Sequence, residues 1–87
     1  MHTNKLQVFI VSNQFLFRQG IEHELSTVRD IEVAGTFKAD AEVLSAIDNS
    51  PPDVALVDID GPVENGLALA RKIRQRSSNI AIIVLAS

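Results

Sequence analysis

Short apolar runs with strand character alternate along this chain with stretches whose apolar positions recur at helical spacing. The first run, Leu6-Gln7-Val8-Phe9-Ile10-Val11, is bounded by the polar Ser12-Asn13-Gln14 and predicts a strand. After it, Phe17, Ile21, Leu25 and Val28 share one face of a helix. Ser12 or Asn13 is the expected cap of that helix. Phe17 belongs to the buried stripe, Phe15 lies off it as a cover for whatever site forms nearby, and His23 falls on the polar side. A second strand follows at Ile31-Glu32-Val33-Ala34-Gly35-Thr36-Phe37. Asp40 then N-caps a helix with Val43, Leu44 and Ile47 inward, and Asn49-Ser50-Pro51-Pro52 ends it.

Val54-Ala55-Leu56-Val57 is an unbroken apolar run flanked by Asp53 and Asp58, as suits a central parallel strand covered on both faces. Gly61-Pro62 turns the chain into a third helix from about Asn65 to Gln75, with Leu67, Ala70 and Ile73 or Arg74 marking its inner side. Ser77-Ser78-Asn79 is the next loop, and Ile80 to Leu85 form the fourth strand. Alternation of this kind implies a parallel sheet with right-handed crossovers, hence a three-layer α/β sandwich. In such sheets chemistry collects at the carboxyl ends of the strands, near the point where strand order reverses. Three places are selected: Ser12-Asn13, Asp58 with its following loop, and Ala86-Ser87.

Composition narrows the function classes. Eighty-seven residues make one small domain with a thin stability margin, and a hydrophobic share of 46% argues against disorder. Without cysteine there is neither a disulfide framework nor a thiolate metal site, and His2 and His23 are too far apart to suggest a cluster. A net charge of −3 with no basic patch makes the segment a poor nucleic-acid binder. The cations of Arg71-Lys72-Ile73-Arg74-Gln75-Arg76 sit in the last turn of their helix, where the macrodipole favours them. No apolar run reaches the roughly 18–20 residues that span a bilayer. The opening Met1-His2-Thr3-Asn4-Lys5 does not resemble a secretion signal, so a cytoplasmic location is expected. Neither a G-x-G-x-x-G nor a P-loop pattern occurs and no nucleophile–base pair is suggested, so no enzymatic turnover is expected.

Three segments together resemble the response-regulator receiver domains that precede LuxR-type DNA-binding domains. Phe15-Leu16-Phe17-Arg18-Gln19-Gly20-Ile21 is similar to that family's first-helix signature, and Ile31-Glu32-Val33-Ala34-Gly35 to its second strand. Pro52-Asp53-Val54-Ala55-Leu56-Val57-Asp58, followed by Pro62 and Gly66, resembles the block around its phospho-acceptor. The resemblance covers essentially the whole chain. It implies a flavodoxin-like fold with strand order 2-1-3-4-5, and Asp58 as the aspartate phosphorylated by a sensor histidine kinase in a two-component phosphorelay. It also implies that residues 1–87 are a receiver domain lacking the fourth helix, the fifth strand with its usual lysine, and the fifth helix. Any DNA-binding part would lie beyond Ser87, and Lys38 and Lys72 read as surface charges.

Receiver domains hold Mg²⁺ with two acids after the first strand, the phospho-acceptor, and a backbone carbonyl two residues later, which here belongs to Asp60. The cation gathers the phosphoryl oxygens and neutralises the charge that develops as the aspartate attacks. In this chain Ser12-Asn13 stand where the acid pair is expected. The ligand set shrinks to Asn13, Asp58 and Asp60, so Mg²⁺ is expected to bind weakly and phosphorylation to be impaired. The switch position falls on Ala86, and Ser87, one residue on, points to the other face of the strand. Plainer readings stand beside these: Asp58 as a turn-former, Asp53 as a strand-entry or cap residue, Asp60 and Glu64 as a solvated acidic loop. The fourth strand carries neither charge nor proline, and the face beside it lacks the family's covering helix, so self-association is expected. Two functions result: a signal receiver at the N-terminal end of a transcriptional regulator, or a phosphorylation-independent oligomerisation or adaptor domain that keeps the fold for its surfaces.

Overall fold

Strands and helices alternate as the periodicity predicts: β1 (Leu6–Val11), α1 (Phe15–Ser26), β2 (Ile31–Phe37), α2 (Ala41–Asn49), β3 (Val54–Ile59), α3 (Val63–Arg76) and β4 (Ala81–Ala86). They are seen in a computed structural model that describes residues 5–59 and 62–86. The four strands form one parallel sheet in the order β2-β1-β3-β4, the flavodoxin-like arrangement. The chain runs outward from β1 to β2 and then back across to β3. The carboxyl ends of β1 and β3 therefore flank the point where strand order reverses.

Alternate residues of the strands serve opposite faces. Phe9 and Val11 of β1 and Ala55 and Val57 of β3 join Val43, Ile47, Leu69, Ile73 and Ile80 in the main core, beneath α2 and α3. Val8 and Ile10 are equally buried on the side of α1. Asp53 ties the entry to the sheet together. Its carboxylate accepts from the Gln7 N–H at 2.8 Å, its own N–H donates to the Gln7 carbonyl, and its carbonyl accepts from Ala81. The strand-entry reading of Asp53 is the one its geometry fits.

Asp40 caps α2 as expected, its side chain accepting from the Glu42 N–H at 2.9 Å, and Val43 and Ile47 point inward with Leu44 half-buried. The first and third helices depart from expectation. The residue preceding α1 is Gln14, and neither Ser12 nor Asn13 caps the helix; both side chains are used elsewhere. α1 ends at Ser26, so Val28 lies in the following turn and is exposed. α3 begins at Val63, directly behind Pro62, whose fixed φ leads into a helix. Gly66, Leu69 and Ile73 are its buried residues, whereas Leu67 is 40% exposed. The inner stripe falls one position before Leu67 and Ala70 and keeps Ile73, since the side that turns inward is set by how the helix packs on the sheet.

One irregularity shapes the sheet. The β1–β2 register steps between Val8 and Phe9, pairing Val8 with Val33 and Phe9 with Gly35. A Cβ on Gly35 would lie 2.6 Å from the Phe37 ring, which packs tilted on Phe9 with centroids 4.8 Å apart. Glycine here makes room for that aromatic pair.

Candidate functional site

The parallel register of β1 with β3 pairs Val8 with Val54 and runs through Val11 with Val57. One residue further, the same register sets Ser12 beside Asp58. The Ser12 hydroxyl donates to Asp58 Oδ2 at 2.8 Å and accepts from the Gln14 N–H at 3.0 Å. The Ser12 N–H donates to the Phe37 carbonyl at 2.9 Å, and its carbonyl accepts from the Arg18 guanidinium. Ser12 is completely buried, and its backbone and side-chain polar groups all have partners. Burying a polar residue costs little free energy only on that condition.

Asn13 is exposed, and its Oδ1 accepts from the Ala39 N–H at 2.9 Å, which fastens the end of β1 to the loop before α2. Asn13 and Asp58 line one cavity of about 200 Å³, together with Ala39, Asn65, Gly66 and Leu69. Phe15, expected as its cover, does not line it. That ring is 59% exposed and lies under the Arg18 guanidinium, 5.6 Å from its centroid. β4 ends at Ala86, paired with Ile59 one step beyond Asp58 and Leu85. Asp60 and Ser87 lie outside the described residues, so the structure describes neither the proposed carbonyl ligand nor the alternative switch hydroxyl.

The described residues do not fit a tightly held magnesium ion. Magnesium demands near-octahedral oxygen ligands and favours carboxylates. Among the described residues Asp58 is the one carboxylate on the cavity wall, and one of its oxygens is already engaged by Ser12. The Asn13 oxygen is engaged by Ala39. Among the described residues no three acids or histidines converge on a common point. What the arrangement does instead is hold a carboxylate by a neutral hydroxyl.

Two features of the site were not legible as site features in the sequence. Arg18 stands within the first-helix motif, but its bond to Ser12 depends on how α1 leaves β1. Asn65, in the first turn of α3, lines the cavity. For Ser12 and Asp58 a signal was present: both follow apolar strands directly, which makes them register neighbours once β1 and β3 pair.

Comparison with known families finds that residues 8–87 match the response regulator receiver domain. The transcriptional regulatory protein DegU of Brevibacillus brevis is 29% identical over 85 residues, covering 98% of this chain and 36% of its own. A protein-glutamate methylesterase/protein-glutamine glutaminase of Bacillus subtilis is 33% identical over 82 residues, covering 94% and 23%. The chain thus spans well under half the length of either relative. Among solved structures, the isolated receiver domain of RcsB from Salmonella enterica serovar Typhimurium superposes with a TM-score of 0.82. That likeness covers 95% of this chain and 62% of the other at 22% identity, and it bears on the fold.

Proposed function

The chain belongs to the response regulator receiver family, and from that membership we propose that it is the signal-receiving part of a transcriptional regulator, with Asp58 as a phospho-acceptor whose magnesium-dependent chemistry is impaired. Receiver domains of two-component systems also occur in enzymes such as the methylesterase relative, but the match concerns the receiver part, to which no turnover is assigned. One observation carries the impairment. Ser12 Oγ is bonded to Asp58 Oδ2 at the place where the family's acids gather a cation, and it supplies no charge. A sensor histidine kinase is the proposed phosphoryl donor and the cytoplasm the proposed setting. No helix among the described residues is long and apolar enough to cross a membrane. Contact with DNA is assigned to a segment outside these residues, in keeping with the net charge of −3.

Magnesium titration followed by amide NMR tests this reading. The expected result is no site-localised response up to about 20 mM, a level at which weak extracellular-type cation sites are already filled. Saturable shifts at Asn13, Asp58 and Asp60, abolished by Asp58→Ala, would restore an ordinary phospho-switch.

The second reading, a phosphorylation-independent interaction domain, is favoured by a different observation. Among the described residues β4 is an edge strand of the sheet, as β2 is on the other side, and Ile83 is 47% exposed. Beside it an apolar groove is lined by Leu6, Val8, Leu25, Val54, Leu56 and Ile83. An uncharged edge next to an apolar groove suits association with a second copy. Light scattering across a tenfold concentration range tests it; a constant monomer mass would overturn it.

A further inference from the structure

Arg18 bonds to a backbone carbonyl, and the choice of carbonyl matters. Ser12 directly follows β1, and its buried peptide groups need partners: the end of β2 supplies one and α1 the other. Its N–H finds the Phe37 carbonyl at 2.9 Å, and its carbonyl finds the Arg18 guanidinium. Arg18 is held in turn. Its N–H donates to the Gln14 carbonyl at 3.1 Å in the first turn of α1, and its guanidinium lies 5.6 Å from the centre of the Phe15 ring. A guanidinium over an aromatic face gains from the ring quadrupole, which gives the exposed Phe15 a use.

Both sides of the Ser12 backbone are thereby pinned, and the direction of its hydroxyl follows. The oxygen accepts from the Gln14 N–H at 3.0 Å, and its hydrogen is directed to Asp58 Oδ2 at 2.8 Å. We infer that Arg18 is a positioning residue of the Asp58 site: through the Ser12 carbonyl it orients the hydroxyl that holds the carboxylate. The inference rests on reading Asp58 as the working carboxylate, and it adds a chain of contacts running from Phe15 through Arg18 and Ser12 to Asp58. Arginine suits this place because its planar donors keep one orientation while stacked, which a lysine ammonium does not.

The test is NMR on the full chain in EDTA, so that magnesium binding plays no part and failure of the metal reading is read separately. The readouts are the Asp58 carboxyl carbon shift and hydrogen exchange at the Gln14 amide. Arg18→Ala is expected to move the carbon resonance and to speed Gln14 exchange about tenfold, as for a local opening, with Ala55 and Val57 amides still protected. Arg18→Lys should recover part of both effects. In a Ser12→Ala background Arg18→Ala should leave the Asp58 carbon where Ser12→Ala alone puts it, the non-additivity expected of residues acting in series. An Asp58 resonance unmoved by Arg18→Ala overturns the proposal. So does an equal displacement with and without Ser12, or a loss of protection that extends through β1 and β3. Should Arg18→Ala not fold, Phe15→Ala removes the stacking alone and is expected to move the same resonance in the same direction by less; no movement there counts against it equally.

Discussion

Ser12 and Asp58 are 46 residues apart in sequence, yet the hydroxyl of one sits 2.8 Å from the carboxylate of the other. The same separation links Gln7 to Asp53 at the opposite end of the two strands, where the Asp53 carboxylate accepts a backbone N–H. Asp53, just before β3, and Asp58, within it, thus clamp β1 at both ends in a single register. A slip of one residue would break both bonds and turn every β3 side chain to the wrong face.

If missing charge is what weakens the metal site, returning it should be sufficient. Ser12→Asp combined with Asn13→Asp is expected to tighten Mg²⁺ binding by tenfold or more, measured by calorimetry or NMR titration. One charge pair 4 Å apart contributes about 4 kcal/mol at an effective dielectric near 20, against about 1.4 kcal/mol for each factor of ten. Affinity unchanged in the double variant would mean that something other than charge closes the site.

Removal of the Ser12 hydroxyl should be felt in stability as well. Ser12→Ala strands the Gln14 N–H and takes a donor from Asp58. A loss of about 1–3 kcal/mol in urea unfolding is expected, the net worth of two part-buried hydrogen bonds, one of them to a carboxylate. A neutral result would show that water or a shifted turn replaces the hydroxyl.

The two faces of α3 can be told apart by truncation. Ile73 is fully buried in the main core, so Ile73→Ala should cost about 2–5 kcal/mol. Leu67→Ala, on the exposed side, should stay within about 1 kcal/mol. Equal losses would contradict the helix rotation described here.

Gly35→Ala should lower stability by about 1–3 kcal/mol, since the new methyl group displaces the Phe37 ring from Phe9. The aromatic ring-proton shifts of Phe9 and Phe37 report it directly. Unchanged shifts would show that the bulge absorbs the methyl group.

Association through the β4 side predicts that Ile83→Lys abolishes concentration-dependent mass in light scattering. It should change unfolding free energy by no more than about 0.5 kcal/mol, because Ile83 is partly exposed in the single chain. An oligomer that survives this substitution uses another surface.

By itself the sequence determined the order of elements, the parallel sheet and the strand ends that form the candidate site. These follow from periodicity and from apolar runs bounded by polar residues, signals carried by neighbours in the chain. Asp40 as a helix cap and Asp53 as a strand-entry residue were readable for the same reason, as was the loss of the acid pair at Ser12-Asn13. Tertiary structure decided which face of α3 turns inward, since Leu67 and Leu69 are both apolar and only the angle of approach to the sheet separates them. It also decided that Ser12 and Asn13 would serve Asp58 and Ala39 and leave α1 uncapped. A hydroxyl or amide beside a helix start has several local partners of similar energy. What selects among them is a strand 46 residues away, brought alongside by hydrophobic pairing that no local pattern encodes.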